Sequence, residues 1–191
     1  MYDLVLFLHV LGAIGVFLAL TVEWFLVARL EQAQGDVELV ASLRPFAKLP
    51  LIGLPATILV LLSGIYLAET ASLWRQGWPV AALVGLLLLA LFGIAFGSRP
   101  AQMAARLLGA GHGVPVELRS VLRSKGMRRS VYARSWIGIG IVYLMTLQPA
   151  GRGATTVLGV SLALALIALV PWHRARLQDG AAHDQTPANN P

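Results

Sequence analysis

The chain contains no cysteine. Disulfides, thiolate metal sites, cysteine-ligated iron–sulfur clusters and cysteine nucleophiles are therefore excluded. Charge is also scarce: 13% of the 191 residues are Asp, Glu, Lys or Arg, about half of the roughly 25% found in soluble domains. Alternating ten-residue strands, the mark of a membrane β-barrel, are missing, and so are nucleotide-binding loops and hydrolase motifs. Histidine occurs four times, and three of the four (His112, His173, His183) lie in polar segments. The formal net charge is +6, but no nucleic-acid motif accompanies it. In a membrane protein basic residues first report topology.

What is present is apolar length. Hydrophobic residues make up 57% of the chain, gathered in runs that approach or exceed the roughly 20 residues needed to cross a bilayer as helix. The sequence predicts an all-α, five-span transmembrane helical bundle, with spans at about 4–30, 49–71, 78–98, 135–148 and 154–172. Residues 1–176 form one domain, and 177–191 form a disordered tail, polar and rich in Ala, Asn and Pro. The leader Met1-Tyr2-Asp3 carries no positive charge and the first apolar run exceeds a signal-peptide core, so the first segment is expected to remain as a span.

Between the spans, Asp36–Phe46 is expected to form a short amphipathic helix with Val37, Val40 and Leu43 on one side, stopped at Arg44-Pro45. Pro50 suits a first helical turn, and Pro55 is expected to kink the second span. Trp74 and Trp78 are expected at the membrane interface. Gly93 and Gly97 make a GxxxG pair that allows close helix approach. The long loop 99–134 divides into a helical piece at Pro100–Leu108, a Gly-rich turn, and a second piece from Pro115 to about Arg123.

Basic residues are unevenly shared. Arg29, Arg44, Lys48, Arg174 and Arg176 fall on one side with Arg99, Arg106, Arg119, Arg123, Lys125, Arg128, Arg129 and Arg134. Only Arg75 and Arg152 fall on the other. This bias predicts an outside N-terminus and a cytoplasmic C-terminus in a bacterial inner membrane. Arg119, Arg123, Lys125, Arg128 and Arg129 are expected to contact anionic lipid headgroups, with a protein or phosphate partner as the alternative.

Two polar side chains interrupt the first span. At 100° per residue, His9, Val16 and Glu23 share one face with Gly12, Ala13 and Ala19. Small residues mark helix packing rather than lipid, so His9 and Glu23 are expected to point into the bundle. They lie about 21 Å apart along the axis. Glu23 is expected to pair with Arg99, Arg134 or Lys48, or to stay neutral, with proton transfer or substrate contact as alternatives. His9 is read either as a hydrogen-bonded packing histidine or as an axial ligand to haem b, the usual role of imidazole in a bundle core. Met145 is the candidate second ligand, and Tyr66 and Glu69 could surround the site. Copper would want more Met and His than the chain supplies, and five spans do not divide into transporter repeats.

The opening Tyr2–Ala13 and the stretch Tyr143-Leu144-Met145-Thr146-Leu147-Gln148-Pro149 resemble a family of small bacterial predicted integral membrane proteins without an established activity. The Leu8-His9 pattern with Gly12 three residues on is also similar to copper-resistance D-type proteins and to the HemJ-type protoporphyrinogen oxidase. The latter resemblance implies His9 as a haem ligand. An intramembrane lysine to match that oxidase is missing, so the resemblance leaves enzymatic activity open. Three functions follow: a haem-b redox or oxidase-like protein, a non-catalytic interaction or assembly protein acting through its basic loop on a membrane partner or a second copy, and a small-ion or copper transporter.

Overall fold

Glycines and alanines let the helices touch, and the contact pairs fix how they run. The computed structural model describes residues 1–33, 36–96, 99–110, 122 and 125–170. Among the described residues there is no strand. The helices are α1 (Tyr2–Gln32), α2 (Asp36–Leu43), α3 (Leu49–Thr70), α4 (Trp78–Phe96), α5 (Arg99–Gly109), α6 (Lys125–Leu147) and α7 (Arg152–Leu169), with 3-10 turns at Arg44–Ala47 and Leu73–Gln76. Four described segments are long and apolar enough to cross a membrane: α1, Ala41–Thr70 containing α3, Gly126–Leu147 within α6, and α7. Within α4, Trp78–Ile94 is a shorter apolar stretch.

The long helices run alternately up and down. Against α1, α3 is antiparallel: His9 meets Ser63 and Gly64, Gly12 meets Val60, and Ala19 meets Gly53. Helix α6 is also antiparallel to α1, with Phe17 over Gly138, Glu23 on Arg134 and Arg128 on Glu31. In turn α4 packs antiparallel on α6 through Gly85–Ile141 and Gly93–Arg134, and α7 closes on α6 at Gly140–Ser161. The result is a pair, α1–α3, beside a trio, α4–α6–α7. The turns 71–77 and 148–151 lie at the same end, where the Gly151 N–H donates to the Gln76 carbonyl at 3.2 Å.

The packing differs along the bundle for a physical reason. At the level of the apolar spans, side chains such as Leu51, Leu62, Ile139 and Ile167 point outward, and lipid is as good a solvent for them as a neighbouring helix. At the basic end, Leu30, Leu39, Leu43, Phe46, Ala104, Leu122, Met127 and Val131 form a closed core, with Phe46 and Leu43 fully buried. Here α2, the Arg44–Ala47 turn and α5 fold over the ends of α1 and α6, as apolar surface facing water requires.

Two expectations change. The fourth span is not confined to 135–148: α6 begins at Lys125. Its inner face carries Met127, Ser130, Val131, Arg134 and Ile137, at helical spacing, and the polar members masked that run in the sequence. Trp78 is buried at 6% exposure, donating from Nε1 to Gln76 at 2.9 Å, so it packs the bundle end instead of lining the interface. Gly93 faces α6, as a contact glycine should, and leaves room there for the Arg134 guanidinium; Gly97 lies outside the described residues. Helix α3 continues through Pro55. Leu39, Leu43 and Phe46 carry the buried face of 36–47, and the side chains of Val37 and Val40 lie outside the described ones. Helix α5 covers the expected piece at 100–108. The tail 177–191 and the piece 115–123, apart from buried Leu122, lie outside the described residues.

Candidate functional site

Helix α1 presents its small-residue face to α3, and His9 sits on that face. Gly64 opposite has no side chain, and a Cβ there would come within 3.0 Å of the imidazole Cε1. The ring therefore lies directly over the α3 backbone. Its Nδ1 is 3.1 Å from the Ser63 hydroxyl. That hydroxyl has one proton, and its nearest acceptor is the Leu59 carbonyl at 2.5 Å. With that proton committed, the Ser63 oxygen accepts and Nδ1–H donates. This assigns the proton to Nδ1 and leaves the lone pair on Nε2. His9 is half-exposed, while the seam beside it is shut: a Cβ on Gly12 would lie 2.9 Å from the Val60 side chain and 3.1 Å from its main-chain nitrogen.

Further along α1, Glu23 crosses to α6. Its Oε1 accepts from Arg134 Nη2 at 2.5 Å, with side chains 5% and 8% exposed. Of the three cations expected near Glu23, Arg134 is its partner among the described residues, and the Arg99 side chain lies outside them. Gly93 on α4 leaves space for the guanidinium, so one ion pair joins α1, α4 and α6. The Arg134 Nε is buried without a hydrogen-bond partner among the described residues.

The other expected residues fall elsewhere. Met145 packs with Trp78, Leu144 and Ala154 between α4, α6 and α7. The α1–α6 register, continued outward from Phe17–Gly138, sets it level with about Val10. Tyr66 and Glu69 are exposed, and Glu69 accepts from Trp74 Nε1 at 2.9 Å. Arg128 is exposed and paired with Glu31 at 3.2 Å, and Arg129 is half-buried. Arg119, Arg123 and the Lys125 side chain lie outside the described residues. Among the described residues no three His, Cys, Asp or Glu side chains gather as a metal site.

Sequence reasoning did not single out Ser63. It lies mid-span, where serine ordinarily bonds back to its own helix, and it does so here as well. Its neighbour Gly64 was the available signal, because a glycine beside a serine opens a helix face to a ring from the next helix.

No curated protein and no solved structure matches the chain. A family model does, over residues 3–149. That match takes in α1 to α6 with His9, Glu23, Ser63 and Arg134, and the chain thus belongs to the DUF2269 family of predicted integral membrane proteins.

Proposed function

We propose that the protein is a five-span protein of the bacterial inner membrane that carries haem b on His9 in a redox role. The observation that carries this reading is the His9 Nδ1 held 3.1 Å from the Ser63 hydroxyl. A metal-ligating histidine commonly has its second nitrogen held in this way, which fixes the tautomer and raises the basicity of the ligating atom. Because the α1–α3 seam is closed at Gly12, the group would meet His9 from its exposed side. Met145 packs between α4, α6 and α7, and it would have to turn toward α1 to help His9 hold the group. Bound haem would supply a one-electron couple, and the chain's part is to hold Nε2 unprotonated and aimed.

Haem extracted per protein tests this. The expected result is about one per chain in the wild type and close to none in His9→Ala. Unchanged content in His9→Ala would overturn it.

The fifth span in this reading is α4, with the N-terminus outside and the basic end cytoplasmic, as the distribution of Arg and Lys supports. The absence of native cysteine makes labelling clean. Ala71→Cys and Ala150→Cys should react with a membrane-impermeant maleimide on intact cells, and Ala110→Cys only after lysis. The opposite pattern would invert the topology.

A second reading has its own support. The closed core of α2, α5 and Phe46 builds a firm platform bearing exposed Arg44 and Arg106, which suits a non-catalytic interaction or assembly role. A haem-free wild type would favour it.

A further inference from the structure

Where α1 and α6 diverge below the Phe17–Gly138 contact, a groove opens toward the surrounding membrane. It holds about 510 Å³ and is lined by Phe17, Thr21, Phe25 and Ala28 on α1 and by Ser135 and Ile139 on α6, among others. Ala28 and Ser135 are small and form its depression. A second, narrower depression shares Trp24 and Ala28 with the first and ends at Arg128 and Val131. The two therefore run end to end. Trp24 stacks edge-on against Tyr132 with centroids 5.2 Å apart, an aromatic pair of the kind that sits at headgroup level.

From Phe17 to Ala28 is eleven residues, or about 16 Å of helix. That is half of the ~30 Å hydrocarbon core, the depth of one leaflet. A partner helix would need a face across both leaflets, and this groove stops midway. Its far end is basic: Arg128 is 49% exposed, with Arg129 beside it and Arg29 at the same level on α1. Among the described residues Arg128 gives one hydrogen bond, to Glu31, out of five N–H donors, so donors remain for a phosphate.

We infer that the α1–α6 seam binds one anionic phospholipid, its acyl chain in the groove and its phosphate on Arg128. The site belongs to the leaflet at the basic end. Glu31 tethers the guanidinium over the seam but also repels the phosphate, so its charge weakens binding.

Native mass spectrometry of the full chain tests the site, using micelles that contain equal phosphatidylglycerol and phosphatidylethanolamine with matched acyl chains. The wild type should retain one phosphatidylglycerol in preference to phosphatidylethanolamine. Arg128→Gln should weaken phosphatidylglycerol retention roughly tenfold, the scale of one charge-assisted hydrogen bond, and leave phosphatidylethanolamine unchanged. Glu31→Gln should tighten it. Ala28→Leu, which fills the slot, should reduce retention of both lipids. Equal retention of the two lipids by the wild type would overturn the inference, as would an unchanged Arg128→Gln. Equal weakening by Glu31→Gln and Arg128→Gln would also overturn it, because the pair would then be structural only. A dimer that excludes both lipids would assign the groove to a second copy instead.

Discussion

Arg134→Met should lower the free energy of unfolding by about 3–5 kcal/mol, the usual cost of removing one partner from a buried ion pair. The reason is local. Glu23 and Arg134 are each almost fully buried, and the site lies between α1, α4 and α6, where no solvent replaces a lost partner. Glu23→Leu should be the worse of the two single changes. A carboxyl left alone can take up a proton, whereas a guanidinium cannot shed one. The double variant Glu23→Leu/Arg134→Met should recover most of the loss, since apolar replacement of a whole buried pair is often neutral or stabilising. Denaturation in mild detergent measures all three. Deficits that simply add in the double variant would show that the two side chains do not act as a pair.

Gly140→Ala is expected to cost about 1–3 kcal/mol, the range for overpacking a filled interface. An added Cβ would stand 2.7 Å from the Ser161 Cβ on α7. That atom is rooted on the main chain and cannot rotate away, so α6 and α7 must separate. Their separation would strip contacts from Ala133, Ile137 and Ala165, which form one buried cluster with Leu89. Gly159→Ala on α7 meets nothing within 4 Å and should be close to neutral. Gly140→Ala/Ser161→Gly removes the obstructing side chain and should return stability toward the wild type. Thermal unfolding of the four proteins side by side gives the answer, and a Gly140→Ala protein as stable as Gly159→Ala would contradict the close approach of α6 and α7.

The inward face of α1 was legible because hydrocarbon makes polar side chains costly and small residues mark contact. His9, Gly12 and Glu23 announced it together. The partner of Glu23 was legible only as one of three cations. Arg134 was assigned to the loop before its span, since Arg128, Arg129 and Arg134 break the apolar run that identifies a membrane helix. Only the structure shows that Arg134 turns inward at the spacing of Met127, Val131 and Ile137. The closed core at the basic end was half legible. The short helix after α1 could be read from its amphipathic pattern, but its packing on α5, Leu122 and Met127 joins residues far apart in sequence. Periodicity within one segment carries no information about such contacts. Ser63 was hidden for a similar reason: its local bond to Leu59 explains it completely until His9 is placed against it.

A reduced-minus-oxidised absorption spectrum of the full chain, purified in mild detergent from cells with ample haem supply, tests the central claim most directly. The account predicts a Soret band with sharpened α and β bands on reduction, present in the wild type and lost in His9→Ala. A colourless wild type, folded and with the His9–Ser63 hydrogen bond intact, would contradict it and leave His9 as a packing histidine between α1 and α3.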